Sequence, residues 1–176
     1  MRKYLAVMLI SGIVSCTNTE KKVAGNSDTT TNIKTAGVAV ELKDGKVQAI
    51  YNGYISLKDA LVSTKFEEAQ KAALALKTDL ANYKGCESTA LIADKIATAA
   101  DIKTQRKEFT SLSSDVIALF KHADLVKGSI YVQHCPMANN NDGGDWLSAE
   151  SKIQNPYYGD EMMECGRIVE EIKSSK

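Results

Sequence analysis

Between Val47 and Val126 the apolar positions recur every three or four residues, interrupted by Gly53 and Gly85 and by no proline. Val47, Ile50, Tyr54, Leu57 and Leu61 share one face, the spacing of an amphipathic helix with a buried stripe. Ser63 or Thr64 then offers an N-cap, with Glu67 three residues beyond Thr64 as the return partner of a capping box. A second helix carries Phe66, Ala69, Ala73, Leu76 and Leu80 on its stripe, its alanines permit close approach of a neighbour, and Gly85 is its natural C-terminal cap. A third segment places Ile92, Ile96 and Ala99 together. A fourth has Ile102, Gln105, Phe109, Leu112, Val116 and Leu119 at heptad-like spacing. Either Asp101 caps the fourth, or the third and fourth form one long bent helix. Four antiparallel segments with short connections predict an up-and-down helical bundle.

After Lys127-Gly128 the pattern changes. Ser129 to Gln133 alternates and is rich in β-branched and aromatic residues, and Gly166 to Val169 is a second short run of the same kind, so both read as strands. Asn139 to Asp145 is a polar turn or loop, Trp146-Leu147 an apolar anchor, and Asn155-Pro156 a further turn. Antiparallel pairing of the two strands would bring Cys135, at the end of one, beside Cys165, at the start of the other. The fold class expected is mainly α: a bundle followed by a short C-terminal β/loop segment.

The N-terminus gives an address. Arg2 and Lys3 precede an apolar stretch reaching Val14, too short to span a bilayer and shaped like a secretory signal. Ile13-Val14-Ser15-Cys16 resembles the lipobox of bacterial lipoproteins, which implies cleavage before Cys16 and acylation there, enough for stable anchoring. An ordinary signal peptide with an incidental cysteine is the alternative. Thr17 to about Thr35 has almost no large apolar residue and reads as a flexible tether. The division expected is a signal peptide over 1–15, a lipidated tether over 16–44, and a domain over 45–176. The protein would sit in the bacterial envelope, held by its lipid in the outer membrane and facing the periplasm. Without Arg2 and Lys3, 20 of the 22 basic side chains remain against 22 acidic ones. That balance leaves no basic field for nucleic acid.

The chemistry concentrates in two sulfur clusters, His134-Cys135-Pro136-Met137 and Met162-Met163-Glu164-Cys165. Thiolate and thioether select soft metals, so Cys135, Met137, Met162 and Cys165 form a candidate Cu(I) or Ag(I) site, with His134 as a further candidate ligand. In an oxidising compartment the same cysteines could instead close a disulfide, worth about 3–4 kcal/mol for a loop of roughly 30 residues on the entropic model. Both readings stay open at this point. Zinc fits less well, because C-x2-C pairs are absent. Cys86 reads as a buried small hydrophobe, and His122 as an ordinary residue of the fourth helix. Asp142 and Asp145 depart from the EF-hand order and read as turn chemistry. The chain has no nucleophile elbow, H-E-x-x-H, phosphate-cradling loop or C-x-x-C pair. It reads as a non-enzyme.

Tyr131 to Ala138, then Trp146-Leu147-Ser148, Asn155-Pro156-Tyr157-Tyr158-Gly159, Met162 and Cys165-Gly166 form an ordered series. It resembles a domain of unknown function found at the ends of some heavy-metal efflux adaptor proteins and alone in small periplasmic lipoproteins linked with copper resistance. Tyr51 to Leu61 is similar to that family's first helix. The resemblance, over roughly residues 45 to 172, implies a copper-handling envelope lipoprotein that buffers Cu(I) or hands it to an efflux adaptor. The alternative is an interaction module of an envelope or efflux assembly in which a Cys135–Cys165 bridge is structural. Cys86 lies outside the motif series, and the resemblance implies no role for it.

Overall fold

The computed structural model describes residues 39–174. The expected signal peptide, Cys16 and most of the expected tether lie outside the described residues. The order of elements is β1 (Glu41–Leu42), α1 (Gly45–Val62), α2 (Phe66–Ala81), α3 (Glu87–Ala97), α4 (Ile102–Phe120), β2 (Leu125–Lys127), β3 (Ser129–Cys135), β4 (Gly144–Ser148) and β5 (Arg167–Lys173). The fold is mainly helical, a four-helix bundle followed by short antiparallel strands. No helix among the described residues is long and apolar enough to cross a membrane.

The helical stripes bury the residues their spacing selects. Ile50, Tyr54, Leu57 and Leu61 of α1, Ala69, Ala73, Leu76 and Leu80 of α2, Ile96 of α3 and Phe109 and Leu112 of α4 are all fully buried. Asp44 caps α1, its carboxylate accepting from the Lys46 and Val47 N–H groups at 2.7 and 3.3 Å. Asp101 caps α4 through the Thr104 N–H at 2.7 Å, so α3 and α4 are separate helices. Around the middle connections the structure departs from the expected caps. Thr64 does not open α2; the N-cap position is Lys65, without a side-chain bond. Thr64 closes α1 instead, in a left-handed conformation (φ 53°), with Thr64 N–H donating to Leu61 O and Lys65 N–H to Ala60 O. That is the Schellman pattern, here on a β-branched residue that pays for its φ. Similarly, α2 ends at Ala81, and Gly85 (φ 93°) turns the chain into α3 rather than capping α2.

The folded part also begins before residue 45. Glu41 and Leu42 pair with Lys127 and Leu125 in a two-stranded ribbon that ties the entry of α1 to the exit of α4. The main sheet has the order β4-β3-β5, all antiparallel, with β3 central. The expected pairing of the two strands that flank the cysteines is β3 with β5, but β4 intervenes in the chain and takes the other edge. On the β5 side, Val132 faces Glu170 and Gln133 faces Ile168, so Val169 is an inserted bulge residue. The outer edge of β4 lies against α1, where the Leu147 N–H donates to the Tyr54 phenol at 3.1 Å. That phenol also shares a hydrogen bond of 2.7 Å with Ser113 on α4. Burial pushes its pKa well above the ordinary tyrosine value. An aromatic series then joins bundle to sheet: Tyr54 stacks on Phe109, Phe109 meets Tyr157, and Tyr157 meets Trp146 edge-on, with centroid separations of 5.5, 5.8 and 6.1 Å.

Candidate thiol site

β3 delivers Cys135 to its C-terminal end, fully buried and opposite Gly144 of β4. Pro136 and Met137 then lead into a tight turn in which Asn139, Asn140 and Asn141 are all left-handed, with φ of 52°, 59° and 73°. Asparagine is the non-glycine residue that tolerates this best. The Asn139 amide anchors the turn, donating to Gly143 O at 2.8 Å and accepting from the Thr110 hydroxyl at 3.1 Å. The expected polar loop over Asn139 to Asp145 is therefore shorter than its composition suggests, and Asp145 lies in strand β4.

Cys165 comes from the long connection between β4 and β5. Its position is set from both sides. Upstream, its N–H donates to Met162 O at 3.1 Å, closing a turn with Met162 at the far end. Downstream, Gly166 adopts φ 152°, and a Cβ there would come within 2.9 Å of the Trp146 ring and 3.0 Å of His134 O. Only glycine lets the chain press this closely against β3. The fully buried Asn155 completes the placement by donating from its side chain to Cys165 O at 2.9 Å.

The result is two free thiols in contact, with Cys135 Sγ and Cys165 Sγ 2.9 Å apart. A covalent S–S bond is about 2.05 Å, so the two thiols are not bonded covalently, and their contact is tighter than an ordinary S–H···S hydrogen bond. The Cys165 pKa is raised, first by that contact with the Cys135 thiol, then by burial and by the neighbouring sulfur's charge, while the Met137 N–H acts in the opposite direction. Tyr158 borders the pair. Its phenol donates to Met137 O at 2.5 Å, and its own pKa is raised by burial first and by the two thiols after it. Tyr158 also lines an open cleft of about 510 Å³ shared with Arg106, Lys107, Asn139 and Glu161.

The other expected ligands are distributed unevenly around this pair. Met137 is 44% exposed, two residues from Cys135 at the rim. Met162 is half-buried at the end of a 3-10 turn over Gly159–Glu161. His134 alternates to the face opposite Cys135, where its Nδ1 lies 2.7 Å from the Asp145 carboxylate, its partner across β3 and β4. Gly143 makes room for that imidazole, since a Cβ there would meet its Cε1 at 2.8 Å. Among the described residues no three His, Cys, Asp or Glu side chains gather in a group that could hold a metal ion. Cys86 is buried just before α3, its thiol pushed up by burial and by Glu87 and Asp115. His122 falls just beyond the end of α4 rather than within it, and is exposed.

Residues 50–128 match a family described as "Protein of unknown function (DUF3347)". That span runs from within α1 through β2 and stops before β3, so the match concerns the bundle and not the thiol site. No curated protein and no solved structure matches the chain. Sequence reasoning paired the two cysteines but did not find the Asn155 contact, the Tyr158 phenol or the His134–Asp145 pair. Only the last had a readable signal, in the register that two strands on either side of a short polar turn would take.

Proposed function

We propose that this protein is an envelope lipoprotein that binds one soft monovalent ion, Cu(I), between Cys135 and Cys165, for buffering or for hand-off to an efflux system. The observation that supports this most directly is the 2.9 Å approach of two free thiols from separate elements. Soft thiolates favour Cu(I) over harder ions, and the half-exposed Met137 beside them offers a thioether at the rim where an ion would enter or leave. Taking zinc–sulfur bonds of about 2.3 Å as a yardstick, two thiolates on one ion would part by roughly an ångström or more from their present contact. Cys165 lies on a connection and not on a strand, and rotation of its side chain supplies that movement. The role is binding and transfer, without catalysis.

A second reading draws on the same site. Cys135 is fully buried and its partner ties a long connection back to β3, the position in which a structural disulfide is useful. The protein would then be an interaction module of an envelope assembly. Titration of reduced protein with Cu(I) against a competing chelator separates the two. The first reading expects about one ion per chain, abolished in Cys135→Ser with Cys165→Ser. Native protein with neither thiol free, and no competition by the reduced form, would leave only the second.

A further inference from the structure

Asn155 uses every polar group it has. It is fully buried. Its N–H donates to Met163 O at 2.9 Å and its C=O accepts from the Gly159 N–H at 2.9 Å. Its side-chain oxygen accepts from the Tyr157 N–H at 2.8 Å, and its side-chain amide donates to Cys165 O at 2.9 Å. Three of these bonds shape the turn around residues 155–163. The fourth leaves that turn, reaches ten residues along the chain and ends on a cysteine of the thiol pair. We infer that Asn155 is the positioning residue of the pair: its amide holds the Cys165 backbone so that the two sulfurs meet without a search. This deepens the proposed function, since it rests on Cys135 and Cys165 acting together, whether on an ion or on each other.

The physical reason is preorganisation. Cys135 is fixed by β3, between two paired strands. Cys165 lies outside any strand, so the freedom it loses on meeting Cys135 must be restrained beforehand or given up at each closure. Asn155 restrains it beforehand. Gln133 offers the contrast. Its amide donates to Glu150 O at 2.9 Å and Lys152 O at 3.2 Å, holding the same connection through residues 150 and 152 and not through Cys165 itself.

Closure in glutathione redox buffers tests this without any metal. One oxidised glutathione converts the two thiols into one S–S bond and is itself reduced to two glutathione thiols, which take up the two protons. The equilibrium constant gives the effective concentration of Cys165 at Cys135, read on the full chain by alkylation and peptide mass mapping. Asn155→Asp keeps the acceptor for Tyr157 and loses the donor to Cys165, while Asn155→Ala loses both. Each is expected to lower the constant about tenfold, the effect of one net hydrogen bond. Gln133→Leu is expected to lower stability and leave the constant unchanged. The inference is overturned if the Asn155 variants close as readily as the wild type, or if Gln133→Leu loses as much. It is also overturned if the wild type forms no Cys135–Cys165 bond, or if neither Asn155 variant folds, which would make Asn155 a determinant of the whole domain. Failure of Cu(I) to bind, read separately, would sink the metal reading and leave this result standing.

Discussion

At the scale of single residues, the thiol site depends on a backbone that passes unusually close to its neighbours. Gly166 is the sharpest case, because its positive φ of 152° and its contacts with Trp146 and His134 O both exclude a side chain. Gly166→Ala is expected to cost about 1–3 kcal/mol through backbone strain alone, read as a lower urea midpoint. Its second signature is faster alkylation of Cys165, since the chain must lift away from β3 to admit the methyl. Cys165 also sets a pH dependence. Its pKa is raised above the ordinary thiol value, so at neutral pH it carries a proton that a bound ion must expel. Apparent Cu(I) affinity should therefore rise with pH, by at least about tenfold per unit below that raised pKa. Competition titrations at three pH values, corrected for the chelator's own protonation, check the slope. A flat profile would mean that Cys165 is not a ligand.

Between elements, Arg106 is the clasp. From α4 its guanidinium donates to Leu61 O and to the Thr64 hydroxyl at the end of α1, and to Pro156 O in the connection that carries the site, each at 3.0 Å. Lysine has one nitrogen where arginine has a rigid fork. Nη2 makes two of these bonds and Nε the third, so Arg106→Lys should no longer hold both the end of α1 and Pro156, and should lose about 1.5–3 kcal/mol by urea unfolding. Thr64 shows why this joint was not legible in the sequence. As a residue three before Glu67 it has the form of an N-cap, and only the distant Arg106 favours its use in a left-handed helix end. The helices themselves were legible, because a 3.6-residue stripe follows directly from one-sided burial. β3 and β5 were legible as short runs rich in β-branched residues. β4 was not: Trp146, Leu147 and Ser148 are buried in succession, which erases the period of two, and its first residues read as the end of a polar loop. β1 and β2 are too short to show a period at all. Of the site, the meeting of Cys135 and Cys165 followed from strand pairing, whereas Asn155 acts through a backbone carbonyl, and a carbonyl leaves no trace in side-chain identity.

Across the whole molecule, the question is whether the bundle and the sheet behave as one cooperative unit. They are joined by the Tyr54–Phe109–Tyr157–Trp146 series and by the Leu147–Tyr54 hydrogen bond. Phe109 is the central link, stacked on Tyr54 of α1 at one side and tilted against Tyr157 of the site's own connection at the other. The wild type should unfold in one step, so that the fluorescence of Trp146, the single tryptophan, and the far-UV circular dichroism of the helices change at the same urea concentration. Phe109→Ala leaves a buried void and is expected to cost about 3–5 kcal/mol. If the aromatic series carries the coupling, the two signals separate in that variant, with Trp146 released before the helices melt. If they stay coincident while stability falls, the coupling runs through Tyr54 and the edge of β4 instead. Tyr54→Phe, which keeps the stacking and removes the hydroxyl that accepts from Leu147, would then be the variant that splits the transition.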